Sequence, residues 1–322
     1  MYLANRFTAH FDIEKLRPMS DKFSISPTEI KRLDGSNART QPDFVVVEEP
    51  LEIKLIIGPL PGQNSQADPL ATSQAESEAA SLIEKPLSIT MRTPGNDVNL
   101  AVGFLFSEGI IKNRQELEHI TQGNDPNGNV IIAKLQPHVS VDLVKLERHF
   151  YTTSSCGVCG KTSMEAVEQQ CNIELPKTQW KIEPSILYTL PDILRAEQSN
   201  FDQTGGIHGC GLFDLIGNLI HTSEDVGRHN ALDKLIGHFV LSTPEAADQI
   251  PLCNHILLLS GRISFELVQK AAMAGIRMIA AVGAPSSLAI DLAEDMGITL
   301  IGFLRGDRCN IYTHSRRVET AQ

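Results

Sequence analysis

An α/β protein preceded by a smaller α+β unit is indicated by three features of the chain. From Thr204 onward, apolar strands alternate with short loops and helices, and glycine punctuates nearly every boundary. Those strands are almost wholly apolar, the pattern of a sheet covered by helices on both faces. Before about residue 150 the strand signals instead gather around one short helix, and a cysteine loop separates the two regions.

In order along the chain, residues 1 to about 40 are polar and unpatterned and read as a loose extension, so 1–43 is set apart from the folded units. A small α+β domain is expected over 44–150. Phe44-Val45-Val46-Val47, Leu51 to Ile57 and Leu87 to Met91 give β-branched or alternating strand signals. The stretch from Pro61 to Glu84, rich in Gln, Ser, Ala, Asp and Glu, reads as a surface insertion. Thr93-Pro94-Gly95-Asn96-Asp97 is a turn that starts a helix carrying Val98, Ala101, Val102 and Leu105 on one face and ending near Gly109. Val130 to Leu135 and Val139 to Leu143 complete the unit as strands.

The cysteine loop is placed at 151–162 and the α/β domain at 163–322. Gly211 to Ile216 and Leu219 to Thr222 flank Gly217-Asn218 as a two-residue hairpin. A helix over Asn230–Val240 follows, then a buried strand at His255–Ser260 and a helix from Phe265 to Ala274 stopped by Gly275. Arg277–Val282 is the next strand and Ser286–Met296 the next helix. A last strand, Ile298–Phe303, runs into Leu304-Arg305-Gly306-Asp307-Arg308.

Composition narrows the class. At 322 residues the chain is long enough for two domains, and 42% hydrophobic with 5% aromatic residues suits a soluble α/β protein. No apolar run approaches the 18 or so residues of a membrane span, and the N-terminus lacks an apolar leader core, so a cytoplasmic location is expected. Six irregularly spaced cysteines do not form a secreted disulfide framework. A net charge of −11 argues against a nucleic-acid or membrane partner.

Cys156 and Cys159, in Thr153-Ser154-Ser155-Cys156-Gly157-Val158-Cys159-Gly160-Lys161, are the one close cysteine pair in the sequence. Small neighbours leave both sulfurs uncovered. Lys161 and the capped helix start that follows favour the thiolate, the nucleophilic form. Reactive sulfur chemistry, thiol redox and zinc binding all use such a pair. Zinc wants a second pair at matched spacing, whereas Cys171, Cys210, Cys253 and Cys309 stand singly. Thioredoxin-like redox use expects the pair beside a βαβ unit, and this one precedes the α/β half.

Ligands of open α/β sheets gather beyond the carboxyl ends of the strands. Gly227-Arg228-His229-Asn230, Gly261-Arg262-Ile263-Ser264, Gly283-Ala284-Pro285-Ser286 and Arg305-Gly306-Asp307-Arg308 each offer small residues with arginine, hydroxyl or backbone donors. Such donors suit phosphate. The plainer alternative pairs Arg228 with Asp225 or Asp233, and Arg305 with Asp307. In Thr204-Gly205-Gly206-Ile207-His208-Gly209-Cys210, His208 sits between glycines, where it is either a ligand contact or proton carrier or a structural histidine. Cys210 reads as a small buried residue.

Together these segments resemble the FdhD family, the sulfurtransferase accessory proteins of formate dehydrogenase. The likeness rests on Ser154 to Lys161, Glu224-Asp225-Val226-Gly227-Arg228-His229-Asn230-Ala231-Leu232-Asp233-Lys234 and Ser260 to Ser264. Thr93 to Asp97, Ser107-Glu108-Gly109-Ile110-Ile111 and Thr204 to His208 fit the same family in the same order, so the resemblance covers about 44 to 315. It implies a persulfide carrier that takes sulfur from a cysteine desulfurase. Delivery is to the molybdenum cofactor, bis(molybdopterin guanine dinucleotide), that formate dehydrogenase needs. Cys156 is implied as the carrier with Cys159 as its partner. The resemblance also implies a three-layer, cytidine-deaminase-like C-terminal domain in a homodimer. The guanine dinucleotide, with GDP as a partial mimic, would lie near Phe303, Leu304, Arg305, Gly306, Asp307 and Arg308, and Arg228, His229, Arg262 and His208 complete the expected binding set. A zinc deaminase would need H-x-E and P-C-x-x-C, and neither occurs. A cofactor-binding chaperone that transfers no sulfur is the alternative.

Overall fold

The computed structural model describes residues 24–58, 82–139, 141, 179–243 and 249–319. The cysteine loop and the body of the 61–84 insertion lie outside them.

Among the described residues the strands form three sheets. The first is a two-stranded antiparallel ribbon of β1 (Ile25–Asp34) and β2 (Asn37–Val46), turning at Gly35 with φ +60°. Residues 25 to 40 are therefore an ordered hairpin rather than the loose extension expected. Polar residues satisfied the pairing here because a ribbon open on both faces has no core side to impose an apolar alternation.

The second sheet has the order β4-β3-β6-β5, from β3 (Glu49–Ile57), β4 (Ile83–Arg92), β5 (Leu117–Gln122) and β6 (Val130–Leu135). Leu51, Ile53, Leu55 and Ile57 alternate inward along β3, as a half-buried strand must. They face α1 (Asp97–Ser107), which buries Leu100, Ala101, Val102, Leu105 and Phe106. Burying each large side chain contributes roughly 1.5–3 kcal/mol. The start of α1 is not capped by a side chain: Asn96 sits in the left-handed region with φ 56°, and Asp97 instead grips Arg92 through a fork of 3.0 and 2.9 Å. Val139 and Val141 are not in a strand, correcting the strand expected there; Val139 closes a turn on Gln136 after β6.

The third sheet, of order β12-β11-β10-β9-β7-β8, carries the C-terminal half. Its strands are β7 (His208–Phe213), β8 (Leu219–Asp225), β9 (Ile256–Leu259), β10 (Met278–Ala281), β11 (Thr299–Arg305) and β12 (Arg308–Thr313). β9, β10 and β11 run parallel, and β7 and β12 flank them antiparallel. α5 (Phe265–Met273) and α6 (Ser287–Asp295) make the crossovers. With α4 (Arg228–Leu241) they cover the face bearing Leu257, Leu259, Ile279 and Ala281. α2 (Pro184–Glu197) covers the other face, where Leu187, Leu190 and Leu194 meet Ile256, Leu258, Met278 and Ala280. Helices thus lie on both faces, which is why the central strands β9 and β10 are apolar and buried at every position.

Two turns differ from expectation. The β7–β8 connection is not the two-residue turn Gly217-Asn218: it spans residues 214–218, with Asp214 Oδ1 accepting from the amides of Ile216 and Asn218, at 3.0 and 2.8 Å. Leu304 to Arg308 is not a free loop after the last strand, because β11 continues to Arg305 and turns back at Gly306 into β12.

α1 seats on α4, so a single apolar cluster runs from the four-stranded sheet through both helices to the six-stranded sheet.

Candidate functional site

The carboxyl ends of β8, β9, β10 and β11 open at one end of the six-stranded sheet, and the antiparallel β7 begins there at His208. The connecting loops are held backbone to backbone. Gly283 donates to the Gly261 carbonyl at 3.1 Å, Phe303 to the Gly283 carbonyl at 3.0 Å, and Ser286 to the Ile263 carbonyl at 3.0 Å. A Cβ on Gly283 would stand 2.7 Å from the Gly261 oxygen, so these loops stack only because that position is glycine. The N-termini of α4, α5 and α6 follow, their free amides pointing toward the same end.

His208, Arg228, His229 and Arg262 gather here. A Cβ on Gly261 would lie 3.3 Å from His208 Nδ1, so the imidazole rests on the Gly261 backbone. Partial burial first, then the nearby charges of Arg228 and His229, hold His208 below the usual histidine pKa despite the opposing pull of Asp225; Arg262 adds to the lowering. The ring is neutral at physiological pH and has an acceptor nitrogen to offer. Arg228 Nε is buried without a hydrogen-bond partner. The acids expected for Arg228 are taken: Lys234 holds Asp225 at 2.7 Å, and Lys270 holds Asp233 at 2.8 Å. His229 Nε2 meets both Ser264 Oγ, at 3.1 Å, and Glu266 Oε2, at 3.0 Å. With serine and carboxylate on the same nitrogen, this is not a relay of the hydrolase-triad kind, which needs them on opposite ring nitrogens.

His208 also lines a cleft of about 560 Å³ between α2, α3 (Ser199–Thr204) and the loop after β9. Leu194, Phe201, Ile207 and Val282 give it apolar walls, and Gly205, with φ +62°, and Gly206 form its lip. Arg195 lies 4.0 Å from the Phe201 ring and bonds Asp202 at 2.8 Å. No sequence signal marked Arg195 or Phe201, because neither sits in a glycine-rich loop.

Three strands across, Phe303, Arg305, Arg308 and Asn310 line a second hollow of about 290 Å³. Phe303 has φ 53° and is 43% exposed, a large apolar ring held in the left-handed region at a bulge. Arg305 and Arg308 are direct cross-strand partners, an arrangement of like charges that an anion relieves. Gly306 and Asp307 form the exposed tip. Leu304 differs from the expectation: its side chain is fully buried against the α2 side of the sheet and packs with Leu187 and Leu190, so it meets no ligand.

The segment from Glu224 to Lys234 divides by task. Asp225, Asn230, Asp233 and Lys234 face the N-terminal unit: Asp225 accepts from the Thr93 amide at 3.1 Å and Lys234 donates to the Thr93 carbonyl at 2.8 Å. Asn230 donates to the Met91 carbonyl at 2.7 Å, and Ser107 to Asp233 at 2.9 Å. Burial opposes charge on both members of the Asp233–Lys270 pair, raising the carboxyl, but on Lys270 the charges of Asp233 and Glu108 outweigh it and its pKa rises. Arg228 and His229 of this segment lie close enough to His208 to act on its charge. Cys210 is 1% exposed, and burial pushes its thiol far up, so it offers no thiolate. Cys156 and Cys159 lie outside the described residues.

Comparison with known proteins identifies the family. The family model described as the FdhD/NarQ family matches residues 76–319. A sulfur carrier protein FdhD of Streptomyces coelicolor is 45% identical over 296 residues, covering 90% of this chain and 93% of its own. One of Mycobacterium tuberculosis is 39% identical, with 92% and 99% covered, and one of Saccharolobus solfataricus is 38% identical, with 90% and 96% covered. A crystal structure from Desulfotalea psychrophila, assigned as a formate dehydrogenase accessory protein, superposes with a TM-score of 0.64 at 23% identity, over 92% of this chain and 99% of that one, and so shares the fold. With its family model spanning most of the sequence and these relatives matching nearly end to end, this chain belongs to the FdhD/NarQ family.

Proposed function

We propose that this protein is a sulfur carrier for formate dehydrogenase, a sulfurtransferase working as a persulfide relay. Cys156 thiolate attacks the outer sulfur of a cysteine desulfurase persulfide; a new S–S bond forms, and the desulfurase thiolate leaves. Attack by Cys159 on Cys156 then forms their disulfide and releases the outer sulfur as hydrosulfide, carrying the bond's electron pair to the acceptor. The acceptor is bis(molybdopterin guanine dinucleotide), bound as substrate, and the carrier acts in the cytoplasm as a homodimer. Relatives named as sulfur carriers support this role.

The observation that carries the acceptor is the placement of two cationic sites along one end of the sheet. One holds Arg228, His229 and Arg262 around the neutral His208; the other holds Phe303, Arg305 and Arg308. A ligand with phosphates and a flat base fits both: forked guanidinium donors take phosphate oxygens, and Phe303 offers a ring to stack upon. The helix, sheet and helix layering around the six strands supports a cytidine-deaminase-like architecture for this half.

The test is intact-protein mass spectrometry after incubation with a cysteine desulfurase and cysteine, alongside GDP titration. A reducible gain of one sulfur in the wild type, lost in Cys156→Ala, with GDP binding retained, is expected. No gain with a proven active donor would overturn the relay and leave a cofactor-binding chaperone.

A further inference from the structure

Thr93 follows directly on β4 in the N-terminal unit and is only 2% exposed. Its amide, carbonyl and hydroxyl all bond to one distant segment, Glu224 to Lys234. The amide donates to Asp225 Oδ2 at 3.1 Å, the carbonyl accepts from Lys234 Nζ at 2.8 Å, and the hydroxyl oxygen accepts from the Val226 amide at 3.1 Å. The first two bonds use backbone atoms of Thr93 and do not depend on its side chain. The third needs a hydroxyl at this position.

Val226 lies where that third bond matters. β8 ends at Asp225 and α4 opens at Arg228, so Val226 and Gly227 alone set the direction in which the helix start leaves the sheet. Gly227 donates its amide to Asp225 Oδ1 at 2.8 Å, and a Cβ on it would stand 3.1 Å from Asn230 Nδ2, so the bend is closely packed. Val226 is held through Thr93. The neighbouring Met91 carbonyl and Thr90 hydroxyl hold Asn230, at 2.7 and 3.1 Å, so the end of β4 grips both the link and the first turn of α4.

No side chain caps α4, so this two-residue link is the local restraint on its first residue, Arg228. Arg228 Nε is buried without a hydrogen-bond partner. A guanidinium takes phosphate through a planar fork, and such a contact tolerates little rotation of the backbone that carries it. Asp225, which Thr93 also grips, is the cross-strand partner of His208, so the same residue touches the supports of both members of the site.

We propose that Thr93 is a positioning residue of the Arg228 phosphate site: its hydroxyl fixes the Val226 amide and thereby aims Arg228 at the ligand. The N-terminal unit then sets the affinity of a site carried on the loops of the six-stranded sheet. This inference rests on the reading of Arg228 as a phosphate contact in the proposed function. A threonine that only stabilised the seam between the two units would not act through Arg228, and a double-mutant cycle separates the two roles.

Calorimetric titration of GDP on the full chain tests it, with urea unfolding verifying that each variant is folded under the binding conditions. Thr93→Val keeps the branched shape and removes the hydroxyl. It is expected to weaken GDP binding about 3- to 10-fold, the range of one neutral hydrogen bond. Thr93→Ser, which keeps the hydroxyl, is expected to bind within about twofold of the wild type. In an Arg228→Ala background, adding Thr93→Val is expected to weaken binding by less than about twofold, since the first change has already removed what the second misplaces. Thr93→Ala, carried through the same cycle, decides the question if the valine variant does not fold. Weakening of equal size in both backgrounds, no weakening in the wild-type background, or a serine variant as weak as the valine one would overturn the positioning role alone. A wild type that does not bind GDP, or an affinity unchanged by Arg228→Ala, would overturn the phosphate reading of the site and this inference with it.

Discussion

Gly103 of α1 and Gly237 of α4 face each other where the two helices cross, and neither position has room for a Cβ. On Gly103 it would stand 2.6 Å from the Asp233 carbonyl carbon and 2.9 Å from the Gly237 nitrogen. On Gly237 it would stand 2.7 Å from the Asn99 carbonyl carbon and 2.8 Å from the Gly103 nitrogen. The neighbours are helix backbone, which cannot swing aside as a side-chain tip would. This crossing joins the four-stranded sheet to the six-stranded one.

Gly237→Ala sets two effects against each other. Alanine gains about 1 kcal/mol of helix propensity over glycine inside α4. The methyl group forces the helices apart, and overpacking a tight contact typically costs about 1–3 kcal/mol, with the upper end expected against rigid backbone. The clash wins, so net destabilisation of about 1–2 kcal/mol is expected in urea unfolding. An unchanged or raised midpoint would mean that the crossing is looser than these distances say.

Lys234 and Asp225 form a buried ion pair of 2.7 Å whose side chains are 3% and 0% exposed. The same carboxylate receives the Thr93 and Gly227 amides, at 3.1 and 2.8 Å. Lys234→Met preserves length and removes the charge, leaving a buried carboxylate without its cation. Breaking a buried pair this way costs about 3–5 kcal/mol. Chemical denaturation of Lys234→Met beside a surface control such as Lys134→Met, whose partner Glu118 is exposed, is expected to show the full loss only in the first.

Much of this architecture was legible because local patterns carried it. The strands at Ile256–Leu259 and Met278–Ala281 and the helices after them follow from apolar runs with glycine stops, and these four elements hold the loops that bring Arg262 to the site. Of the ribbon, only Phe44 to Val46 gave a strand signal; residues 25–43 were hidden because their sequence keeps no apolar alternation. The division of Glu224 to Lys234 was hidden for another reason. Residues at i and i+4 of α4 share a face, so Asn230 and Lys234 turn together toward the N-terminal unit, but nothing in the spacing says which side that unit occupies. Leu304 was misplaced because its neighbours Phe303 and Arg305 are exposed, and a bulge between Gly302 and Arg305 interrupts the register that would have separated them.

The two cationic sites lead to a binding prediction. A guanidinium on phosphate is a charge-assisted bond worth about 1.5–3 kcal/mol, or roughly 10- to 100-fold in affinity. Arg228→Ala and Arg308→Ala are each expected to weaken GDP binding within that range in calorimetry. Arg39→Ala, far along the ribbon, is expected to leave it unchanged. Equal affinity in both site variants would move the nucleotide elsewhere on the protein.

His221 and His238 give stability a pH dependence of known sign. Their rings stack 3.8 Å apart with 5° between planes, and the edge of Phe239 closes on both. Burial first, and then the proximity of His238, pull the His221 pKa from 6.5 down to about 4; burial also lowers His238. In the folded protein the pair stays neutral through a range where the unfolded chain takes up protons. Between pH 6.5 and about 4 the unfolded state therefore binds more protons, and stability falls as pH falls. Carboxylates that lose their partners in acid add to the same trend, so the contrast must come from a variant. His221→Phe with His238→Phe keeps two stacked rings and removes both titrating groups. Melting curves at intervals from pH 7 to 4 are expected to fall less steeply for this double variant than for the wild type. Parallel curves would show that the stacked pair does not stay neutral in the folded protein.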